Sequence, residues 1–336
     1  MKEYLVDVPV SIQAFVRPDM LRKQWEVIKE ARPSILFIRS DGPRPHVPTD
    51  RALIEESRRI TEDIDWSCEV HRLYSEENLG MYGNSKKNVP YIFEHVDRCI
   101  FLEDDQIPSV SFFAFCAELL EKYKDDTRIS RITGVNLCGK WENTSADYFF
   151  ARVPVSSGAA LWRRSYMQRD CELLYAKDPH VMKNLKKSLP WYLKKQFKSF
   201  AKTGTYANHG PGGEFFVRSE EYCQNQLVIV PRVNLITNIG VGAGSTHTAA
   251  KLRQMPRALQ KVYTLEHYEL ELPLKHPRFV MSDRYFEKER EKQLGVRTRF
   301  QAMCRALERS LRLLLFGGTR RIFQKLKRVV KHDIES

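Results

Sequence analysis

Three adjacent acids, Glu103, Asp104 and Asp105, are the residues of this chain whose types and spacing best suit chemistry. They follow an apolar run at residues 99–102, which is typical of a strand buried on both faces. Such a strand delivers the residues after it to the carboxyl edge of an open α/β sheet, where ligands bind. Three crowded carboxylates repel one another unless a cation or a ring of donors compensates them. Their oxygens suit Mg²⁺ or Mn²⁺ bridged to a diphosphate. The alternative is that Asp105 caps a helix opening at about residues 107–109.

The elements that must position these acids alternate between strand and helix patterns. We predict strands at residues 8–15, 34–38, 68–73, 99–102, 129–134 and 228–231, and helices at about 18–28, 50–63, 111–123 and 180–202. Beyond residue 145 the alternation gives way to short strands and loops. Strands and helices that alternate in units of roughly 30 residues indicate βαβ crossovers, so we expect an α/β fold with a mostly parallel, Rossmann-like sheet flanked by helices.

Two further side chains follow neighbouring predicted strands at the same edge. Arg17 comes after the first strand and Asp41 after the second, where a base and a ribose would be held. A carboxylate such as Asp41 accepts hydrogen bonds from a uracil imide or a sugar hydroxyl, although its Asp-Gly-Pro sequence also fits an ordinary turn. Gly80 and Gly83 let the backbone approach a ligand closely. Lys86 is then a candidate phosphate contact, unless this segment is an ordinary loop leading into a helix.

The composition is that of an ordinary globular protein, with 336 residues of which 42% are hydrophobic. The seven cysteines are dispersed without a Cys-x-x-Cys pair, which argues against a zinc ribbon or a disulfide scaffold and for a reducing compartment. The first residues lack the apolar core of a signal peptide, and no stretch approaches the ~20 apolar residues that cross a bilayer. We therefore expect a cytoplasmic protein, either soluble or peripheral on the inner face of the plasma membrane.

The net charge of +13 is unevenly distributed. Eleven basic residues and a single acid, Glu308, lie between residues 297 and 331, and a second basic stretch runs from residue 183 to 202. Such patches attract phosphates in nucleic acid, in anionic lipid or in a substrate. No helix-turn-helix, zinc-finger or RNA-recognition signature accompanies them, so we expect no nucleic-acid partner.

Apolar residues in the C-terminal stretch recur at helical spacing on both sides of a Gly-Gly pair at 317–318. This pattern predicts two basic amphipathic helices on an anionic membrane, or a helix pair packed on protein.

The order of motifs resembles the GT-A superfamily of nucleotide-sugar-dependent glycosyltransferases, in particular its inverting branch, which includes N-acetylglucosaminyltransferase I and bacterial glycan-synthesis enzymes. The resemblance covers about residues 6 to 285. It is carried by Phe-Val-Arg-Pro at 15–18, Ser-Asp-Gly-Pro-Arg at 40–44, Glu-Asn-Leu-Gly at 77–80, Phe-Leu-Glu-Asp-Asp at 101–105, Leu-Trp-Arg-Arg-Ser at 161–165, and Asn-Leu-Ile-Thr-Asn-Ile-Gly at 234–240 with Ser-Thr-His-Thr at 245–248. Any one of these motifs is weak, whereas their common order indicates the fold and the activity.

The resemblance implies roles for individual residues. Asp105 would bind Mn²⁺ or Mg²⁺, while Asp104 and Glu103 would hold ribose and donor-sugar hydroxyls. His247 would contribute an imidazole ligand or a diphosphate contact from a glycine-bearing loop. Counting back from the Val-Pro strand at 230–231 makes Glu214 the general base at the start of a helix.

Three side chains of the later half have competing interpretations. Glu220 and Glu221, further along the Glu214 helix, are rival bases that also fit a solvated helix face. Trp162 is a candidate platform for stacking of the acceptor sugar, with core packing as its alternative.

As a whole, the resemblance implies a GT-A domain at 1–285, with a nucleotide-sugar half at about 1–139 and an acceptor half at about 140–285, and a basic helical tail at 286–336. The implied activity is metal-dependent inverting transfer from a UDP-sugar to a glycan or lipid-linked acceptor, as in bacterial surface polysaccharide synthesis. A sugar nucleotidyltransferase is the alternative enzyme, but the segment after the first strand lacks the glycine-rich phosphate loop expected of it. A basic nucleic-acid-binding protein and an inactive GT-A scaffold are the alternatives outside catalysis.

Overall fold

An eight-stranded mixed sheet forms the centre of the fold in the computed structural model, which describes residues 2–152, 158–206, 210–241 and 252–316. The strands are β1 (Val6–Gln13), β2 (Pro33–Ser40), β3 (Glu69–Tyr74), β4 (Arg98–Leu102), β5 (Gln106–Pro108), β6 (Ile129–Thr133), β7 (Tyr148–Ala151), β8 (Ala159–Trp162), β9 (Leu227–Pro231) and β10 (Ile236–Asn238). The helices are α1 (Pro18–Ala31), α2 (Asp50–Ile60), α3 (Gly80–His95), α4 (Ser111–Lys122), α5 (Arg163–Met167), α6 (Pro179–Ser188), α7 (Trp191–Thr203), α8 (Gly213–Cys223), α9 (Arg257–Gln260), α10 (Arg284–Gln293) and α11 (Arg299–Phe316).

The strand order of the large sheet is β3-β2-β1-β4-β8-β6-β9-β7. The first four strands pair in parallel, as do β6 and β9. β8 lies antiparallel between β4 and β6, so β6 again runs in the direction of β4. The carboxyl ends of β1, β2, β3, β4, β6 and β9 therefore share one edge of the sheet. The expected α/β fold with a mostly parallel sheet between helices is confirmed.

The segment around the three acids follows the first prediction and not its alternative. Residues 99–102 lie within β4, and Cys99, Ile100 and Leu102 are buried. The chain after Asp105 enters β5, which pairs antiparallel with β10, and the next helix begins only at Ser111. The prediction that Asp105 caps a helix is therefore wrong, because the residues after it are extended and hydrogen-bonded to another strand.

Three elements depart from the sequence-based expectations. α3 was expected only as a loop leading into a helix. Its buried face carries Asn84 and Asn88 beside apolar residues, which weakens the helical pattern. β8 is a four-residue strand that pairs only with strands distant in sequence. The basic segment 180–202 forms two helices because Pro190 lacks the N–H that a continuous helix requires.

Within the tail, α11 corresponds to the first predicted amphipathic helix, and the second, beyond residue 316, lies outside the described residues. Among the described helices, none is long and apolar enough to span a membrane. All seven cysteines are free, as expected for a chain without a disulfide scaffold.

Candidate functional site

The acids lie in a tight turn, residues 103–106, which we call the acid turn. The backbone N–H of Glu103 donates to the side-chain oxygen of Gln106 at 3.1 Å, and the backbone N–H of Gln106 donates to the carbonyl of Glu103 at 3.1 Å. From α1, the fully buried Gln24 donates its Nε2 to the carbonyls of both Glu103 and Gln106, each at 2.6 Å. The turn is therefore fixed from inside the protein and not only by the strand before it.

Arg17 binds two of the three acids. It follows β1, the neighbour of β4, so its guanidinium reaches the acid turn from the adjacent strand end. Its Nε donates to Asp104 Oδ2 at 3.0 Å, its Nη2 to Asp104 Oδ1, and its Nη1 to Asp105 Oδ2 at 3.0 Å. The fork-shaped guanidinium matches this arrangement and holds both carboxylates in a fixed orientation.

One guanidinium does not compensate three carboxylates. Burial raises the pKa of Asp104 to about 6, although Arg17 opposes the shift. Glu103 is exposed to solvent, but neighbouring protein atoms desolvate its carboxylate in part. This partial desolvation, together with repulsion from Asp105 and then Asp104, raises the pKa of Glu103 to about 7. The acid turn thus carries excess negative charge that a cation would stabilise.

The segment after β10 covers Asp105. The backbone N–H of Ile239 donates to the carbonyl of Asp105 at 2.8 Å, and Asn238 Nδ2 donates to Asp105 Oδ1 at 3.3 Å. Gly240 passes so close that a Cβ added there would lie 1.9 Å from Asp105 Oδ2. Only glycine fits at this position unless the carboxylate moves.

Asp41 is buried at the end of β2 and joins two loops. Its Oδ1 accepts hydrogen bonds from the backbone N–H groups of Gly42 at 3.0 Å and of Leu79 at 2.9 Å. Asn78 Nδ2 donates in turn to the carbonyl of Gly42 at 2.8 Å. Among the described contacts, Oδ2 of Asp41 accepts no hydrogen bond. The carboxylate is therefore held by one of its two oxygens.

The predicted phosphate contact Lys86 lies on α3, the helix that follows the Leu79 backbone group bound to Asp41. Lys86 is exposed on α3, about half a helical turn away from the buried Asn84 and Asn88. A second basic residue, Arg39 on β2, was missed by the sequence analysis. Arg39 is buried on β2, and its Nε donates to Ser11 Oγ at 2.8 Å.

Arg39 acts on the acid turn through its charge. Burial lowers the pKa of Arg39, and Cys99 and Glu103 oppose that shift, so its charge lies within electrostatic reach of Glu103. Its signal in the sequence is a basic residue inside an otherwise apolar strand, where an arginine seldom lies without a function or a partner.

Trp162 lies at the opposite edge of the sheet. It pairs with Arg98 at the start of β4, whereas the acids follow the end of that strand. Its ring is buried, its Nε1 donates to the carbonyl of Leu120 at 2.9 Å, and the guanidinium of Arg164 stacks on it. These contacts are those of the core-packing alternative, so we do not retain Trp162 as an acceptor platform.

The acids of α8 have two different environments. Glu214 is exposed in the first turn of the helix, as counted from the sequence. Glu220 and Glu221 are buried, so the interpretation of this pair as a solvated face is wrong. Glu221 Oε1 accepts from Arg131 Nε at 2.8 Å and from Ser130 Oγ at 2.9 Å, near the start of β6. Glu221 is thereby committed to an ion pair at the edge opposite the acid turn.

The donor set fits a divalent cation only in part. Within the described ranges, no group of three or more His, Cys, Asp or Glu side chains is arranged to hold a metal ion by itself, and His247 lies outside those ranges. Mg²⁺ and Mn²⁺, however, are commonly held by one or two carboxylates while substrate phosphates and water complete the shell. Asp105, beside an undercompensated acidic turn, suits such a cation when it arrives with a diphosphate.

Comparisons with known proteins return only distant structural matches. No protein-family model matches the chain, and no curated protein matches it. A UDP-glucose pyrophosphorylase complexed with UDP-glucose shares 10% identity over 68% of this chain and 91% of its own, with a TM-score of 0.34. Mouse xyloside xylosyltransferase 1 in its apo form shares 13% identity over 67% of this chain and 85% of its own, with a TM-score of 0.37. At such TM-scores, the function has to follow from the topology and site of this chain.

Proposed function

We propose that the chain is an inverting glycosyltransferase that transfers a sugar from a UDP-sugar to a glycan acceptor. The observation that supports this most is the meeting of Arg17, Asp41 and the acid turn at one edge of the sheet. These groups follow the carboxyl ends of β1, β2 and β4, the position at which open α/β sheets bind nucleotides. The motif order that resembles inverting GT-A enzymes places the same residues in the donor site.

In this proposal each acid has its own part in donor binding. Oδ2 of Asp41 accepts the imide N–H of the uracil, since Oδ1 is already fixed by two backbone donors. Asp104, oriented by Arg17, accepts ribose hydroxyls. Glu103, the only solvent-exposed member of the trio, accepts hydroxyls of the donor sugar.

Asp105 would hold Mn²⁺ or Mg²⁺ together with the donor diphosphate, with His247 as a further candidate ligand. The bound cation would stabilise the negative charge of the departing diphosphate. Arg17 and Asn238 keep the Asp105 carboxylate in place by hydrogen bonds to its two oxygens. Gly240 packs against the same carboxylate and restricts its movement.

Glu214 would act as the general base. A carboxylate in this role takes the proton of the acceptor hydroxyl as that oxygen attacks the anomeric carbon. Glu214 is exposed at the start of α8, where an acceptor can reach it, whereas Glu221 is buried in an ion pair with Arg131. The acceptor itself is a glycan, for which we propose a lipid-linked glycan of a surface polysaccharide, met at the cytoplasmic face of the membrane.

A donor screen with the purified full-length chain tests the proposal. With Mn²⁺ present, UDP should raise the melting temperature, and one UDP-sugar should release UDP when an acceptor is supplied. Asp41→Asn should lose the UDP-induced shift, because its amide keeps one oxygen for the backbone donors but presents N–H to the imide. Asp97→Asn, a change at an exposed acid before β4 at the other edge, is the matched control and should respond like the wild type.

Two results would argue against a glycosyltransferase. The absence of a thermal shift with any nucleoside diphosphate would remove the donor site from the proposal. Formation of UTP from a UDP-sugar and pyrophosphate would instead identify a sugar nucleotidyltransferase.

One contact favours the glycosyltransferase over that alternative. Among the described contacts, Arg17 is committed to Asp104 and Asp105, so it is not a free cation in a phosphate-binding loop.

A further inference from the structure

The helix α11 presents an apolar stripe to solvent. Seven of its large apolar side chains are exposed, among them Phe300 at 69%, Leu307 at 63% and Leu311 at 56%. The full stripe comprises Phe300, Met303, Leu307, Leu311, Leu314 and Leu315. These positions recur every three or four residues, so they lie on one face of the helix over ~22 Å.

A helix packed on its own domain would turn its apolar stripe toward the core and its polar face toward solvent. Instead, polar groups attach α11 to the rest of the chain. Arg305 Nη1 donates to the carbonyl of Leu294 at 2.9 Å, and Arg312 Nη1 donates to the carbonyl of Arg253 at 3.2 Å. Glu308 accepts from the backbone N–H of Arg257 at 3.0 Å. The polar face is thus occupied, and no residue of α11 is buried.

The positive charge of residues 297–331 indicates which partner covers the apolar stripe. Eleven basic residues and one acid lie between residues 297 and 331, and Arg297, Arg299 and Arg309 are exposed. A second copy of the chain would bring equal positive charge against this face. An anionic bilayer supplies both an apolar layer for the stripe and negative charge for the arginines.

We propose that α11 is a membrane-docking helix, which lies flat on an anionic bilayer with its apolar stripe in the headgroup–acyl boundary. Its polar face, hydrogen-bonded to the backbone at Leu294, Arg253 and Arg257, attaches the rest of the chain to the membrane. This inference goes beyond the proposed function and does not depend on it, because the stripe and its charge are independent of the acid turn.

Vesicle co-sedimentation of the full-length chain tests the docking. The wild type should sediment with phosphatidylcholine vesicles that contain phosphatidylserine, remain in solution with phosphatidylcholine alone, and bind less as salt is added. Leu307→Gln combined with Leu311→Gln should lower the partition coefficient about tenfold or more. Ala306→Gln combined with Ser310→Gln is the matched control, because it places the same side chains at exposed positions directly before the two leucines.

Three outcomes would overturn the proposal. The first is equal sedimentation of the leucine double variant and the wild type, and the second is a wild type that stays in solution with the anionic vesicles. The third is a wild-type dimer in light scattering that becomes a monomer in the leucine double variant, since a second copy would then cover the stripe. The melting temperature of the double variant should match that of the control, as both changes lie at exposed positions.

Discussion

The acid turn and the acid pair of α8 are both runs of adjacent carboxylates, but they meet opposite environments. In the acid turn, Asp104 and Asp105 share the single guanidinium of Arg17, and Glu103 is exposed to solvent. At α8, Glu221 is matched by Arg131, its Oε1 also accepts from a serine hydroxyl, and both members of the ion pair are buried. The acid turn has fewer positive than negative charges and is reached by solvent at Glu103. The Glu221–Arg131 pair has matched charges and is buried.

The difference shows that acidic composition alone does not define a site. In a buried ion pair the two charges compensate each other, so neither is available to a ligand. Removing either partner leaves a buried charge uncompensated and mainly lowers the stability of the fold. Carboxylates at the carboxyl edge of a parallel sheet, with less positive charge than they need, are available to a cation or to a donor. The two regions should therefore respond to substitution in different ways, one in catalysis and the other in stability.

The largest effect is expected at Asp105. Asp105→Ala should reduce transfer by about 10³-fold or more, because it removes stabilisation of charge that develops in the transition state. The fold should persist, since Asp104 still pairs with Arg17. Turnover is measured with saturating UDP-sugar and Mn²⁺, and the melting temperature serves as control. Near-normal turnover in the folded variant would remove Asp105 from the metal site.

Glu214 is expected to affect turnover without affecting stability. Glu214→Gln should retain donor affinity but lower kcat by about 10²–10⁴-fold, the usual contribution of a positioned base. Its exposed position should keep the change in unfolding free energy within about 0.5 kcal/mol. If Glu220→Gln or Glu221→Gln carries the catalytic loss in folded protein while Glu214→Gln does not, the assignment of the base is wrong.

Glu221 is expected to show the reverse pattern. Glu221→Ala leaves the buried Arg131 without this carboxylate and should lower the free energy of unfolding by about 3–5 kcal/mol. Denaturant titration measures the loss, with Glu214→Ala on the same helix as the exposed control. Turnover per folded molecule, determined in the cold, should stay close to that of the wild type. A stability loss no larger than that of Glu214→Ala would contradict a structural role for the ion pair.

The sequence predicted the frame of the site because that frame depends on local patterns. The apolar run before Glu103 is sufficient to predict a buried strand, and the residues after it then lie at a known edge of the sheet. The resemblance to GT-A enzymes implied a helix start at Glu214, and Glu214 indeed lies in the first turn of α8. The roles of these residues remain proposals.

Contacts between distant segments could not be predicted in this way. The pairing of β8 between β4 and β6 carries Trp162 to the far edge, and nothing within its own segment encodes that position. The burial of Glu221 depends on Arg131, which is 90 residues earlier in the chain. Gln24 carried a readable signal, a polar residue on the apolar face of α1, but its carbonyl partners belong to a turn known only from the fold.

The smallest expected effect concerns Glu220, which lines a small cavity with Ser130, Arg169 and Gln226. Burial raises the pKa of Glu220, although hydrogen bonds from Gln224 and from the backbone of Asp170 act against the shift. A carboxyl whose folded-state pKa is raised stabilises the native state when it is protonated, and this contribution is lost as the pH rises through the folded-state pKa. Glu220→Gln cannot ionise. It should therefore be more stable than the wild type at pH ~8, by about 1 kcal/mol or less, and nearly equal at pH ~5, close to the ordinary glutamate pKa. Thermal unfolding of both proteins across this range checks the sign, and a difference that does not change with pH would show that folding does not raise the pKa of Glu220.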